Sequence, residues 1–81
     1  MRQSGLNQSI ETRDFPLTRM ELTSLTLVAN GFRPAEICIQ LNLSEKEIEI
    51  LLCCAERKLG AKNRLHAIGI AVGQGMIGIE V

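Results

Sequence analysis

The sequence predicts an all-α fold, a small bundle of four helices, on three observations. Apolar residues recur at steps of three and four along several segments, which is the spacing of one buried helix face. Two of those segments open with the S/T-x-x-E spacing of a helix capping box. The 81 residues are 46% hydrophobic but only 2% aromatic, so we expect one small domain with an aliphatic core and no stacking platform for single-stranded nucleic acid.

The first helix is predicted at about Arg19–Asn30. Thr18 and Glu21 form its capping box, because the hydroxyl can accept from the amide three residues on while the carboxylate reaches back. Gly31 ends the helix, as glycine does when it follows the last helical turn. The expected buried stripe consists of Leu22, Leu25, Val28 and Ala29.

A short second helix is predicted up to Leu41, with Pro34 at its first position, where proline is tolerated. A turn at residues 42–43 separates it from a longer stretch, Ser44–Leu59, which opens with the Ser44 and Glu47 capping box. The buried stripe expected there is Ile48, Leu52, Ala55 and Leu59. A short helix, a tight turn and a longer helix form the spacing of a DNA-reading helix-turn-helix.

Asn63 is predicted to cap a fourth helix, and the apolar segment 76–81 is expected to cover the edge of the core. The core-facing residues of that helix are predicted to be Ala67, Ile68, Ala71 and Val72. A second face carries His66, Gly69, Ile70 and Gly73 at i, i+3, i+4 and i+7. Each glycine inside a helix lowers its stability by about 1 kcal/mol relative to alanine. We expect these glycines because they let the backbone of a second helix approach this face closely.

The formal net charge is zero, but the charges are segregated along the chain. Residues 45–56 hold four glutamates and one lysine, whereas residues 57–64 hold four basic residues and no acid. The basic residues are Arg57, Lys58, Lys62 and Arg64. We expect them to contact DNA phosphates, with a salt slope of about −3.6 for four contacts. The alternative is a solvated surface that complements the negative end of a helix.

Cysteine usage and motif content narrow the functional class. An odd number of cysteines, three, and no signal peptide argue against a disulfide framework and favour a reducing cytoplasm. Adjacent Cys53 and Cys54 are not spaced as metal ligands, so neither a metal nor a cofactor is expected. We also expect no membrane span, because no run of 18 apolar residues occurs. No nucleophile–base pair or phosphate-binding glycine loop indicates an enzyme.

A set of positions between residues 16 and 78 follows one family pattern without insertions. They are Leu17, Thr18, Glu21, Leu22, Leu25, Ala29, Gly31, Glu36, Ile37, Leu41, Leu43, Ser44, Ile48, Leu52, Ala55, Lys58, Leu59, Gly60, Ala61, Asn63, Arg64, Ala67, Ile68, Ala71, Gly75 and Ile77. On these residues the chain resembles the C-terminal DNA-binding domain of LuxR-type response regulators and quorum-sensing regulators. The resemblance implies a four-helix LuxR-type helix-turn-helix bundle, with the third helix in the major groove and the fourth forming a homodimer.

The resemblance also implies which side chains read bases. The positions that face base edges are occupied here by Lys46, Glu49, Ile50 and Cys53. Glu49 can accept from cytosine N4, and Ile50 can pack on a thymine methyl group. The alternative for Glu49 is that it complements the positive end of the helix dipole. The chain departs from the family at Glu47, where threonine is usual, and at Leu51, where histidine or another polar or aromatic residue is common.

We therefore expect a bacterial, cytoplasmic transcriptional regulator that lacks the usual sensor domain, with residues 1–15 as a flexible polar tail and residues 16–81 as the DNA-binding domain. It would bind a pseudo-palindromic duplex as a homodimer whose interface holds His66, Gly69, Ile70 and Gly73. The alternative is a protein-interaction module that pairs through this face with a full-length LuxR-type regulator and inhibits it. The apolar residues on the outside of the third helix favour that alternative.

Overall fold

The computed structural model describes residues 17–80, and all regular secondary structure in that range is helical. The helices are α1 (Arg19–Ala29), α2 (Pro34–Leu41), α3 (Glu45–Lys58) and α4 (Arg64–Gly73). The prediction of an all-α helix-turn-helix bundle is confirmed, and the predicted ends of the first three helices agree with the structure to within one residue. The tail predicted for residues 1–15 lies outside the described residues.

Local capping determines where these helices start. The Thr18 amide donates to Glu21 Oε1 at 2.9 Å, and the Glu21 amide donates to Thr18 Oγ1 at 3.2 Å. The same reciprocal pair opens α3, where the Ser44 amide donates to Glu47 Oε1 at 2.8 Å and the Glu47 amide to Ser44 Oγ at 3.0 Å. Asn63 caps α4 through its side chain. The predicted caps of α1, α3 and α4 are confirmed, and each satisfies amides that the helix itself leaves unpaired.

The third helix is the centre of the bundle, because it packs against α1, α2 and α4. Three of the four residues of its predicted stripe, Ile48, Leu52 and Ala55, have no exposed surface, while the fourth, Leu59, is half-buried. The three join the equally buried Leu25 and Ile37 in one core cluster. The core is aliphatic, so close packing of branched side chains, rather than aromatic contacts, holds the helices together.

The helix-turn-helix angle depends on a left-handed residue. Asn42 follows α2 with φ +57°, a conformation that asparagine tolerates better than most residues. The Leu43 amide then donates to the Cys38 carbonyl at 3.1 Å, which closes the end of α2. Gly60, with φ +68°, reverses the chain after α3 in the same way. Short connections therefore set the directions of α3 and α4.

The last helix buries a narrower face than the sequence predicted. Ala67 and Ala71 are fully buried and Ile68 is half-buried, but Val72 is 39% exposed, so its predicted core position was wrong. The reason is that α4 packs only on α1 and α3, and Val72 lies about 140° around the helix from Ala67 at 100° per residue. Beyond α4, Ile77 is 8% exposed and covers the edge of the core, as predicted for this segment.

None of the helices within residues 17–80 is long and apolar enough to cross a bilayer.

Candidate nucleic-acid interface

The outward side of α3 presents one continuous line of side chains. Lys46, Ile50, Cys53 and Arg57, spaced i, i+4, i+7 and i+11, lie within about 60° of one another on the helix surface. All four are exposed, Ile50 by 54%, and they lie opposite the buried stripe. We call these four residues the outer stripe. It includes three of the four residues predicted to read bases and one of those predicted to contact phosphate.

The outer stripe has basic ends and an uncharged middle. Lys46 begins it and Arg57 ends it, and the 11 steps between them rise about 16 Å along the helix. Ile50 and the free thiol of Cys53 lie between the two charges. Basic ends suit acceptors of the duplex, phosphate oxygens or a guanine edge, and a small apolar centre suits base edges that carry a thymine methyl group. The major groove, about 12 Å wide, admits a helix presented in this way.

The flank of α3 beside the outer stripe carries a three-residue ion-pair network. Arg64 Nη2 lies 2.9 Å from Glu49 Oε1, and Arg64 Nε lies 2.8 Å from Glu56 Oε2. Burial lowers the pKa of the Arg64 guanidinium. Its hydrogen bonds and charge pairing with both carboxylates raise that pKa by more than burial lowers it, so the net pKa lies above its ordinary value. We call these residues the Glu49–Arg64–Glu56 triad. Glu49, predicted to read a base, is therefore paired on the flank.

A second ion pair connects α3 to α1. Lys58 Nζ lies 2.9 Å from Glu21 Oε1, and the side chains are 40% and 7% exposed respectively. Burial raises the pKa of the Glu21 carboxyl, but hydrogen bonds from the Thr18 amide and Lys58, with the Lys58 charge, lower it more, so the net pKa lies below its ordinary value. Lys58 thus neutralises a buried carboxylate of the same chain.

The four basic residues predicted to contact phosphate fall into two pairs. Lys58 and Arg64 form ion pairs within the domain, whereas Arg57 and Lys62 are exposed and form none among residues 17–80. Sequence reasoning did not find the partners Glu21 and Glu56. Within the basic cluster, Arg57 and Lys62 are therefore the two side chains that are exposed and whose charge is not neutralised by a carboxylate among the described residues.

The face of α4 predicted for dimerisation is open. His66, Gly69 and Gly73 are exposed and Ile70 is half-buried. A Cβ atom built on either glycine would meet nothing within 4 Å, so packing within the domain does not require glycine at these positions. His66 also supports the start of α4, since its Nδ1 accepts from the Lys62 amide at 3.0 Å. A neighbouring backbone could approach this face closely.

A shallow apolar groove of about 310 Å³ borders the outer stripe. It is lined by Met20, Leu43, Glu47, Ile50 and Leu51. Leu51 is half-buried and packs against the core, while Ile50 keeps most of its side chain in water. The outer side of α3 therefore exposes apolar side chains to water in addition to the apolar stripe that it buries in the core.

Comparisons with a family profile and with individual proteins all indicate the same family. The sequence profile described as bacterial regulatory proteins, luxR family, matches residues 15–71. The chain is 42% identical over 62 residues to the response regulator RamR of Streptomyces coelicolor, a match covering 76% of this chain and 31% of that protein. It is 33% identical over 64 residues to the transcriptional regulatory protein YdfI of Bacillus subtilis, covering 79% and 30%. The chain thus spans about three tenths of these curated relatives.

Proposed function

Because the chain belongs to the luxR family of bacterial regulatory proteins, we propose that it is a transcriptional regulator that binds double-stranded DNA through α3. The observation that carries this proposal is the outer stripe, an exposed line of side chains with basic ends on the second helix of a helix-turn-helix. The two relatives are a response regulator and a transcriptional regulatory protein, which supports the same class.

The binding mechanism follows from the two kinds of contact that the domain offers. Arg57 and Lys62 neutralise phosphates and so determine the position of the domain on the duplex, a contribution that does not depend on base sequence. Ile50 and Cys53 then face base edges in the major groove, where a thymine methyl group offers apolar contact. Lys46, in the first turn of α3, supplies a cation that can donate to a guanine.

We expect replacement of both Arg57 and Lys62 by alanine to weaken binding to every duplex. Two lost phosphate contacts reduce the steepness of the plot of log affinity against log salt by about 1.8 per protomer. Polarisation titrations of a random-sequence duplex at several salt concentrations measure this slope.

The control is the charge-preserving double exchange Arg57→Lys and Lys62→Arg, which should keep the slope of the unaltered protein. Neither native side chain forms an ion pair among residues 17–80, so urea unfolding should be nearly unchanged in both variants. An unaltered slope in the alanine variant would contradict the assignment of phosphate contact.

The bound form that we propose is a cytoplasmic homodimer joined through the open face of α4. Two copies would place their α3 helices in major grooves about one helical turn, 34–36 Å, apart on a pseudo-palindromic site. Exposed Gly69 and Gly73 support this arrangement, because they allow two helix backbones to approach each other. The described domain is then sufficient for duplex binding.

We expect Ile70→Glu to separate the dimer, because it places two like charges in the middle of the α4 face. The number of protomers bound per palindromic duplex, measured by sedimentation of the complex, should fall from two to one. Leu65→Glu is the matched control, since it adds the same charge to α4 at a residue that is 78% exposed and lies about 140° around the helix from Ile70. A dimer that survives Ile70→Glu would place the interface elsewhere.

The second candidate function is a protein-interaction module that pairs through the α4 face with a full-length luxR-type regulator and inhibits it. The apolar groove beside Ile50 favours this candidate, because such surface is unusual on a helix that contacts only DNA. A titration with random duplex at low salt separates the two functions. Affinity weaker than about 10⁻⁴ M, the weak limit of ordinary non-specific binding, would favour the interaction module.

A further inference from the structure

The Glu49–Arg64–Glu56 triad occupies the edge of the surface that we assign to DNA. We propose that Arg64 is a positioning residue that orients the Glu49 carboxylate, and that this carboxylate gives the domain a preference for cytosine at one position of each half-site. The inference rests on the proposed DNA-binding function and assigns a specificity determinant within it.

The geometry of the triad restricts the guanidinium strongly. Two different nitrogens of Arg64, Nη2 and Nε, bond to two different carboxylates at 2.9 Å and 2.8 Å. Glu49 and Glu56 are two turns apart on one side of α3, and Arg64 is the first residue of α4. Because both helices belong to the packed core, the guanidinium plane is held from two sides. Glu49 therefore keeps one oxygen, Oε1, in a defined place.

The other oxygen of Glu49 is available to a ligand. The Glu49 side chain is 47% exposed, and no protein donor among residues 17–80 reaches its Oε2 atom. Glu49 precedes Ile50 and lies beside the outer stripe rather than beneath it. An oxygen in this place can accept from an amino group on a base edge in the groove that α3 enters.

Base chemistry selects cytosine as the partner. Cytosine presents its N4 amino group as a donor in the major groove, and a carboxylate accepts from it. The adenine N6 donor lies beside the N7 acceptor, and guanine presents two acceptors, N7 and O6. Acceptors repel a carboxylate, so a fixed Glu49 discriminates against purines. A mobile Glu49 would discriminate less, because it could turn towards solvent.

Arg64 also makes a carboxylate tolerable near a polyanion. Without it, Glu49 and Glu56 would bring two negative charges to the edge of the interface. With both Nε and Nη2 engaged and the side chain only 30% exposed, Arg64 is poorly placed to serve as a phosphate clamp. The structure thus favours a different role from the phosphate contact that the basic cluster predicts.

The test is selection of bound sequences from a randomised duplex pool with the unaltered protein and with Glu49→Gln, Arg64→Gln and Arg64→Lys. Glu49→Gln should change one position of each half-site from cytosine towards adenine, because glutamine pairs with adenine N6 and N7. Arg64→Gln should reduce the cytosine preference there by about fivefold or more, since a good base contact contributes about 1–3 kcal/mol of discrimination. Arg64→Lys should retain part of the cytosine preference.

Two controls separate positioning from structural damage. Glu45→Gln removes the same charge from an exposed position outside the triad and should leave the base preference unchanged. Loss of stability alone would weaken binding to all sequences equally. The Arg64 Hε resonance, observed by NMR without DNA, should move when Glu56→Ala removes its acceptor, and no movement would contradict the triad.

The remaining outcomes overturn the inference in distinguishable ways. If Arg64→Gln leaves the base preference unchanged but lowers the salt slope by about 0.9, Arg64 is a phosphate contact. If Glu49→Gln leaves every position unchanged while the protein still binds duplex, the inference fails and the proposed function stands. If the unaltered protein binds no duplex at low salt, the proposed function fails, and the cytosine preference fails with it.

Discussion

Replacing Leu52 with alanine is expected to lower the free energy of unfolding by about 2–5 kcal/mol. Leu52 has no exposed surface and lies in the middle of α3, the helix that contacts the other three helices of the described domain. The substitution removes buried methyl groups and leaves a cavity that three packed helices cannot close. Because a domain of this size has a total stability of roughly 4–12 kcal/mol, a large share is lost.

Urea unfolding followed by circular dichroism measures this effect. Ile39→Ala is the matched control, because Ile39 is 81% exposed on α2 and its truncation should change stability by no more than about 0.5 kcal/mol. Equal midpoints for the two variants would contradict the central position of α3 in the core.

Lys58→Ala is expected to destabilise the fold by about 1–3 kcal/mol at neutral pH. The substitution leaves the carboxylate of the Glu21 side chain, which is 7% exposed, without its charged partner. This loss is smaller than the roughly 3–5 kcal/mol expected when a fully buried pair is broken, because Lys58 is 40% exposed and solvent screens its charge. Lys62→Ala is the control, since it removes the same charge from an exposed residue that forms no ion pair among those described.

The effect of Lys58→Ala depends on pH in a defined direction. The pKa of Glu21 is lowered in the folded protein, so its contribution to stability is complete above the ordinary carboxyl value of 4.5 and is lost as the pH falls through the folded pKa. The unaltered protein and the variant should therefore converge in acid. A constant difference in unfolding free energy from pH 7 down to pH 3 would mean that Lys58 stabilises the fold by packing alone.

This ion pair changes how DNA-binding variants are interpreted. A Lys58→Ala protein can lose DNA binding because it unfolds, so such a loss does not identify a phosphate contact. Arg57 and Lys62 avoid this ambiguity, because their side chains form no ion pair within the described domain. The structure therefore decides which members of the basic cluster test the proposed function.

The amino-acid sequence by itself determined the helices and the family. The Ser44–Glu47 capping box and the stripe of Ile48, Leu52 and Ala55 depend on residues three or four positions apart, and such local relations can be read directly from a sequence. The luxR-type pattern is equally a property of residue order, and the match over residues 15–71 confirms it.

Only the tertiary structure decided which charges and apolar residues remain free. Lys58 pairs with a carboxylate 37 positions away, and Arg64 with one 15 positions away, so neither pairing follows from local periodicity. The spacing predicts Val72 in the core, yet it is exposed because no helix among residues 17–80 covers its side of α4. Ser24, conversely, is fully buried, with a hydroxyl that has no partner among the described residues. In each case the outcome depends on which helices meet, a long-range packing result that residue order does not display.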